Sequence, residues 1–99
     1  MNRREALILT VLRDGEKYGL ELREAHGKLA GRAMPLGSLY TPLHRMEAKG
    51  LVRSRQGESE GARGGNRRRW FRLTAKGVRG LDAWLASAEA TLRALGGLA

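Results

Sequence analysis

The sequence contains no cysteine. That absence excludes disulfides, thiolate zinc sites and thiol redox sensing together. No apolar run approaches the ~18 residues that a membrane-spanning helix needs, so no transmembrane span is expected. Met1-Asn2-Arg3-Arg4-Glu5 is basic, but no signal-peptide cleavage pattern follows the short apolar stretch behind it. A cytoplasmic location is expected. Histidine is scarce: His26 and His44 are the two copies, and neither stands at metal-ligand spacing from another ligand. His26, beside Glu24 on an expected surface helix, reads as solvated. No P-loop, nucleophile elbow or zinc-protease motif occurs. Gly57–Gly65 is glycine-rich, but it lacks the spacing of a dinucleotide loop and leads into arginines, not a helix. The chain reads as a non-enzyme with no cofactor and no metal.

Negative charge is also in short supply. Against 19 Lys and Arg stand 10 Asp and Glu, leaving a net charge of +9. Such an excess points to a polyanionic partner, nucleic acid or an anionic membrane. The plain alternative is a solvated basic surface. The excess is local, because only Arg79 and Arg93 among the positive residues fall within Val78–Leu95.

What is present is a clear order of elements. The 99 residues argue for one domain with a modest core. Asn2 to Arg13 reads as a helix, capped by Asn2 with Glu5 three residues on, and carrying the stripe Leu7, Ile8, Val11 and Leu12. Asp14-Gly15 is a turn. A second helix is expected from about Gly19 to Lys28, with Tyr18, Leu22, Ala25 and Leu29 on one face. A third ends at Lys49-Gly50 and starts between Pro35 and Leu39. Its start is unsettled because Pro42 is tolerated in a first turn but bends a helix deeper in. Leu51–Gln56 and Arg67–Leu73 read as two strands, and Gly57–Asn66 as the tip of the hairpin between them. Thr74 can cap a last helix in which Val78, Leu81, Leu85, Ala88, Leu92 and Leu95 form a heptad seam.

Three helices, a hairpin and a final helix describe a mainly α fold with a small β-hairpin, a winged helix-turn-helix. Residues 1–73 would form the DNA-binding part and 74–99 a dimerisation helix, in one compact unit. In such folds the third helix enters the major groove. With Leu39, Leu43 and Met46 inward, Ser38, Tyr40, Thr41, His44, Arg45 and Lys49 are the candidate groove residues. The hairpin carries Arg53, Arg55, Arg63, Arg67, Arg68, Arg69 and Arg72 against Glu58 and Glu60. Arg63, Arg67, Arg68 and Arg69 are the candidate phosphate contacts, since each neutralised phosphate releases condensed counterions. A membrane reading fits poorly, because the loop tip has no apolar anchor. Lys76 lies in the first turn of the last helix, where the macrodipole disfavours a cation, and a nearby phosphate would offset that. A protein-interaction adaptor without specific DNA binding is the alternative, since fold alone does not settle function.

Several blocks also carry a family pattern. Tyr18-Gly19, the run Gly37-Ser38-Leu39-Tyr40-Thr41-Pro42-Leu43-His44-Arg45-Met46-Glu47, Lys49-Gly50-Leu51-Val52, and Gly65-Asn66-Arg67-Arg68-Arg69-Trp70-Phe71-Arg72-Leu73-Thr74-Ala75-Lys76-Gly77 occur in order. Together they closely resemble the PadR-like transcriptional regulators over about residues 5 to 95. Leu20 stands where that family often has an aromatic, and Trp70-Phe71 replaces a usual tyrosine pair. The likeness is to short members with a single C-terminal helix. It implies a homodimeric repressor of double-stranded DNA, often released by a small molecule. Some members bind planar apolar ligands between tryptophans of the last helix. That makes Trp84 a candidate contact for a planar apolar or cationic effector.

Overall fold

The computed structural model describes residues 1–57 and 68–97, and shows α1 (Arg3–Leu12), β1 (Lys17–Tyr18), α2 (Gly19–Ala30), α3 (Leu36–Ala48), β2 (Val52–Gln56), β3 (Arg69–Leu73) and α4 (Ala75–Gly96). Several helix ends have a local cause. Asn2 accepts from the Glu5 amide at 2.8 Å while the Glu5 carboxylate accepts from the Asn2 amide at 2.9 Å. This reciprocal capping box satisfies two amides that no helical carbonyl can reach. Helix α2 stops at Gly31 (φ 81°), and Gly50 (φ 78°) turns the chain out of α3. Only glycine takes that left-handed conformation without a Cβ penalty.

Helix α3 runs through Pro42. The proline lies beyond the first turn, so the Ser38 carbonyl loses its usual helical donor. Leu39, Pro42, Leu43 and Met46 are all buried on the inward face. Packing of that face outweighs the local preference, which by itself left the start of the helix open.

The sheet has three strands in the order β1-β3-β2, all antiparallel, where the sequence suggested two. Lys17 pairs with Phe71 and Tyr18 with Trp70. A two-residue strand is too short to show an alternating pattern, so only its partner reveals it. Between β2 and β3 the register sets Val52 against Leu73, Ser54 against Phe71 and Arg53 against Arg72. Val52 and Phe71 close the core from the sheet side, beneath Ile8, Leu9, Leu22 and Leu43.

Two expectations for helix faces are corrected. In α2 the inward residues are Gly19, Leu22 and His26, whereas Leu29 is 50% exposed. His26 is therefore a core residue at 2% exposure, not a solvated one. The helix turns Gly19, Leu22 and His26, spaced by three and four, toward α1 and α3, and a polar residue on that stripe escapes an apolar count. In α4 the seam is divided. Leu81 is fully buried in the chain's own core, and Leu85 and Trp84 pack against that core, so Leu81 has no surface left for a partner chain. Leu92 and Leu95 are exposed. Helix α4 packs against α1. Among the described residues, no helix is long and apolar enough to cross a membrane.

Candidate nucleic-acid interface

The outward face of α3 is built by default, from what the core does not take. Gly37, Thr41, His44, Arg45, Ala48 and Lys49 are exposed. Gly37 and Ala48 keep the two ends of the face low, and Thr41, His44 and Arg45 project between them. Ser38 is half-buried. Tyr40 does not face outward: it packs against the core, tilted against Phe71 at 6.1 Å between ring centres, with its hydroxyl over Gly19. A Cβ at residue 19 would lie 2.5 Å from that hydroxyl, so Gly19 makes room for the ring. Tyr40 in turn stacks on His44, with 23° between the planes. Its role is to orient His44, and the alternation of inward leucines could not reveal it.

The C-terminal end of α3 is fastened to the start of α4. Thr74 caps α4 by accepting from the Gly77 amide at 3.0 Å, and its hydroxyl donates to the Gly50 carbonyl at 2.6 Å. The Thr74 amide donates to the Leu51 carbonyl at 3.1 Å. Lys76 Nζ donates to the Lys49 carbonyl at 2.8 Å. The negative end of the α3 dipole thus offsets the unfavourable place of Lys76 in α4, so no phosphate is needed to explain it. Gly77 is pressed onto the Leu51 carbonyl so closely that any Cβ would collide with it. The threonine-x-lysine-glycine step is a joint that sets the angle between α3, the hairpin and α4.

The hairpin arginines divide into several environments. Arg55 donates to Glu16 at 2.5 and 3.0 Å and lies over the Trp70 ring. Its hydrogen bond holds the Glu16 carboxyl below the ordinary carboxylate range, and the Arg55 value is raised in return. Arg68 lies 4.2 Å above the Tyr18 ring, which itself meets Trp70 edge-on at 5.1 Å. Two guanidiniums are thus seated on an aromatic floor that the sequence did not suggest. Arg53 and Arg72 face each other directly across the strands and are both exposed. Like charges in that position repel. Arg69 reaches back toward α3, donating to the Ser54 hydroxyl at 2.9 Å, and Ser54 donates through both its amide and its hydroxyl to Glu47. This chain of bonds ties Arg69 through Ser54 to Glu47 on the flank of α3. Arg63 and Arg67 lie outside the described residues. Among the described residues, no group of three His, Cys, Asp or Glu could hold a metal ion.

A helix-turn-helix with an antiparallel wing and a third helix presenting a polar, basic face defines the winged-helix class. The profile of the transcriptional regulator PadR-like family matches residues 8–83. The chain belongs to that family. No curated protein sequence matches it. Among solved structures, a PadR-like transcription factor from Bacteroides fragilis is 25% identical, with a TM-score of 0.83 over 96% of this chain and 88% of that one. A PadR family transcription regulator from Clostridium difficile is 23% identical, with a TM-score of 0.79 over 98% of both chains. Bacillus subtilis PadR in complex with operator DNA is 23% identical, with a TM-score of 0.73 over 86% of this chain and 48% of that longer one.

Proposed function

We propose that this chain is a sequence-specific regulator of transcription that binds double-stranded DNA as a homodimer and acts as a repressor. The observation that carries the reading is the exposed row Thr41, His44 and Arg45 on α3, flanked by Arg69 of the wing. Those side chains suit base edges and phosphates. Bacillus subtilis PadR, whose fold this chain shares, was captured on operator DNA. The repulsion between Arg53 and Arg72 is relieved by an anionic backbone lying across the hairpin. Thr41 and Arg45 supply base contacts, Ser38, His44 and Lys49 support them, and Arg63, Arg67, Arg68 and Arg69 supply phosphate contacts. The distal part of α4, with Ala88, Leu92 and Leu95, pairs two protomers so that their α3 helices lie about 34 Å apart, one DNA turn. Val78 and Leu85 frame the near end of that interface.

The test is binding to duplex DNA as a function of salt. With six to ten phosphate contacts, affinity falls about 10³- to 10⁵-fold between roughly 50 and 200 mM salt. Flat binding over that range would overturn the reading in favour of an adaptor role. Arg69→Ala lowers the salt slope by about one and weakens binding to every sequence. Arg45→Ala instead reduces the preference for operator over random DNA.

Release by a small molecule is part of the same reading. Trp84 is half-buried beside an open groove formed with Arg3, Ser87, Ala88, Thr91 and Leu92. A symmetric dimer brings two such grooves together, where planar aromatic or cationic compounds stack on the indoles. In a Trp70→Phe background, flat dyes quench the Trp84 emission saturably. Binding that persists in Trp84→Ala would remove the tryptophan from the site.

A further inference from the structure

The face of the sheet turned away from the core is rich in cations, and one carboxylate is set among them. Alternation along β2 and β3 sends Val52 and Phe71 inward, so Arg53, Arg55, Trp70 and Arg72 share the outward face. Glu16, in the turn between α1 and β1, meets Arg55 there. It accepts from Arg55 Nε at 3.0 Å and from a terminal guanidinium nitrogen at 2.5 Å, a two-bond fork that fixes both groups. The Glu16 side chain is 27% exposed. Hydrogen bonding from Arg55, with the charges of Arg55 and Arg72, holds its carboxyl below the ordinary range.

The fork is the first link of a ladder across three strands. Arg55 lies 5.4 Å from the centre of the Trp70 ring, Trp70 meets Tyr18 of β1 edge-on, and Arg68 lies over Tyr18. The edge of Trp70 is packed onto Gly57, where a Cβ would stand 2.6 Å from the indole Nε1. The Gly57 amide donates to the Arg68 carbonyl at 2.6 Å. Gly57 and Arg68 are the residues at which the chain leaves β2 and enters β3. The ladder therefore grips the root of the wing and ties it to the turn after α1.

We propose that Glu16 is a positioning residue for DNA binding, which through Arg55, Trp70, Tyr18 and Arg68 holds the root of the wing fixed against the turn after α1. The inference rests on the DNA-binding reading. A root ordered before the duplex arrives spares binding that ordering cost. The consequence is a reversal of sign. If charge alone counted, Glu16→Gln would bind duplex more tightly and with a steeper salt dependence, because Arg55 is released to phosphate. With the brace, the same variant binds more weakly and with a shallower salt dependence, because the wing's phosphate contacts form less often.

The test measures binding of the full chain to a labelled random-sequence duplex across salt concentrations. Glu16→Gln weakens binding about threefold or more and lowers the salt slope, while its melting temperature moves little. Arg55→Lys, which keeps the charge but not the fork, weakens binding too. In an Arg55→Gln background, Glu16→Gln brings no further loss. Without DNA, the Gly57 amide exchanges its hydrogen faster in Glu16→Gln than in the parent. The proposal is overturned, with the DNA-binding reading intact, if the parent binds and Glu16→Gln or Arg55→Lys binds as tightly or more tightly. It is equally overturned if the loss persists without Arg55, if a fall in melting temperature accounts for it, or if Gly57 exchange is unchanged. A parent that binds no duplex even at low salt overturns the DNA-binding reading, and this proposal with it.

Discussion

Leu81 and Leu92 stand on one stripe of α4, about three turns apart, and meet opposite fates. Leu81 is fully buried against α1 and the core, while Leu92 is 68% and Leu95 59% exposed. The proximal half of the helix is a structural element of its own domain. The distal half is an apolar stripe without cover from its own chain, although both halves follow the same heptad spacing. Periodicity shows which side of a helix is apolar. It does not show which body covers that side, because the spacing is the same whether the partner is the chain itself or a second copy.

The largest expected effect lies in the proximal half. Leu81→Ala leaves a cavity in the core and destabilises the fold by about 2–5 kcal/mol, whereas Leu92→Ala changes the stability of the monomer by well under about 1 kcal/mol. Urea denaturation of both variants checks this, and equal losses would abolish the distinction between the halves. Next comes the joint beneath α4. Gly77→Ala forces the Leu51 carbonyl away and costs about 1–3 kcal/mol, typical of overpacking, with a lower melting temperature as the readout. A neutral outcome would show that α4 is not fixed to the hairpin there.

On the proposed homodimer, the effect in the distal half falls on assembly. Leu92→Glu with Leu95→Glu weakens self-association at least tenfold, about 1.4 kcal/mol, while the melting of dilute protein stays unchanged. Sedimentation at several concentrations measures it. These positions are cleaner than Leu85, which packs against its own core and would confound dissociation with unfolding. The smallest effect concerns the helix beneath α1. The fold favours the neutral ring of His26, so its contribution to stability is fully present above the ordinary value of 6.5 and is lost as pH falls through 6.5 toward the lowered folded value. His26→Leu therefore flattens the pH dependence of melting on the acid side of 6.5, as thermal melts at several pH values measure.

Much of the architecture was legible because it is encoded locally. The Asn2–Glu5 box, the glycines at 31 and 50 and the Thr74 cap act within a few residues, so their spacing in the chain is their spacing in space. The exposed trio Thr41, His44 and Arg45 followed from the inward leucines of the same helix. The partners of the arginines were not legible. Arg55 finds Glu16 and Trp70, Arg68 finds Tyr18, and Arg69 finds Ser54, each across strands whose register no local pattern states. A run of arginines looks uniform until the sheet divides it between two faces.

Three of the four helices, the hairpin, the positive charge and the family resemblance are legible along the chain, since caps, turns and apolar periods depend only on near neighbours. Tertiary structure alone decided three things. It buried His26, it turned Tyr40 inward against Phe71 and onto His44, and it claimed the near half of the α4 stripe for the chain's own core. Burial is a property of what surrounds a residue, and those surroundings come from elements distant in sequence. An exposed and a buried side chain can therefore share the same letter, spacing and helix.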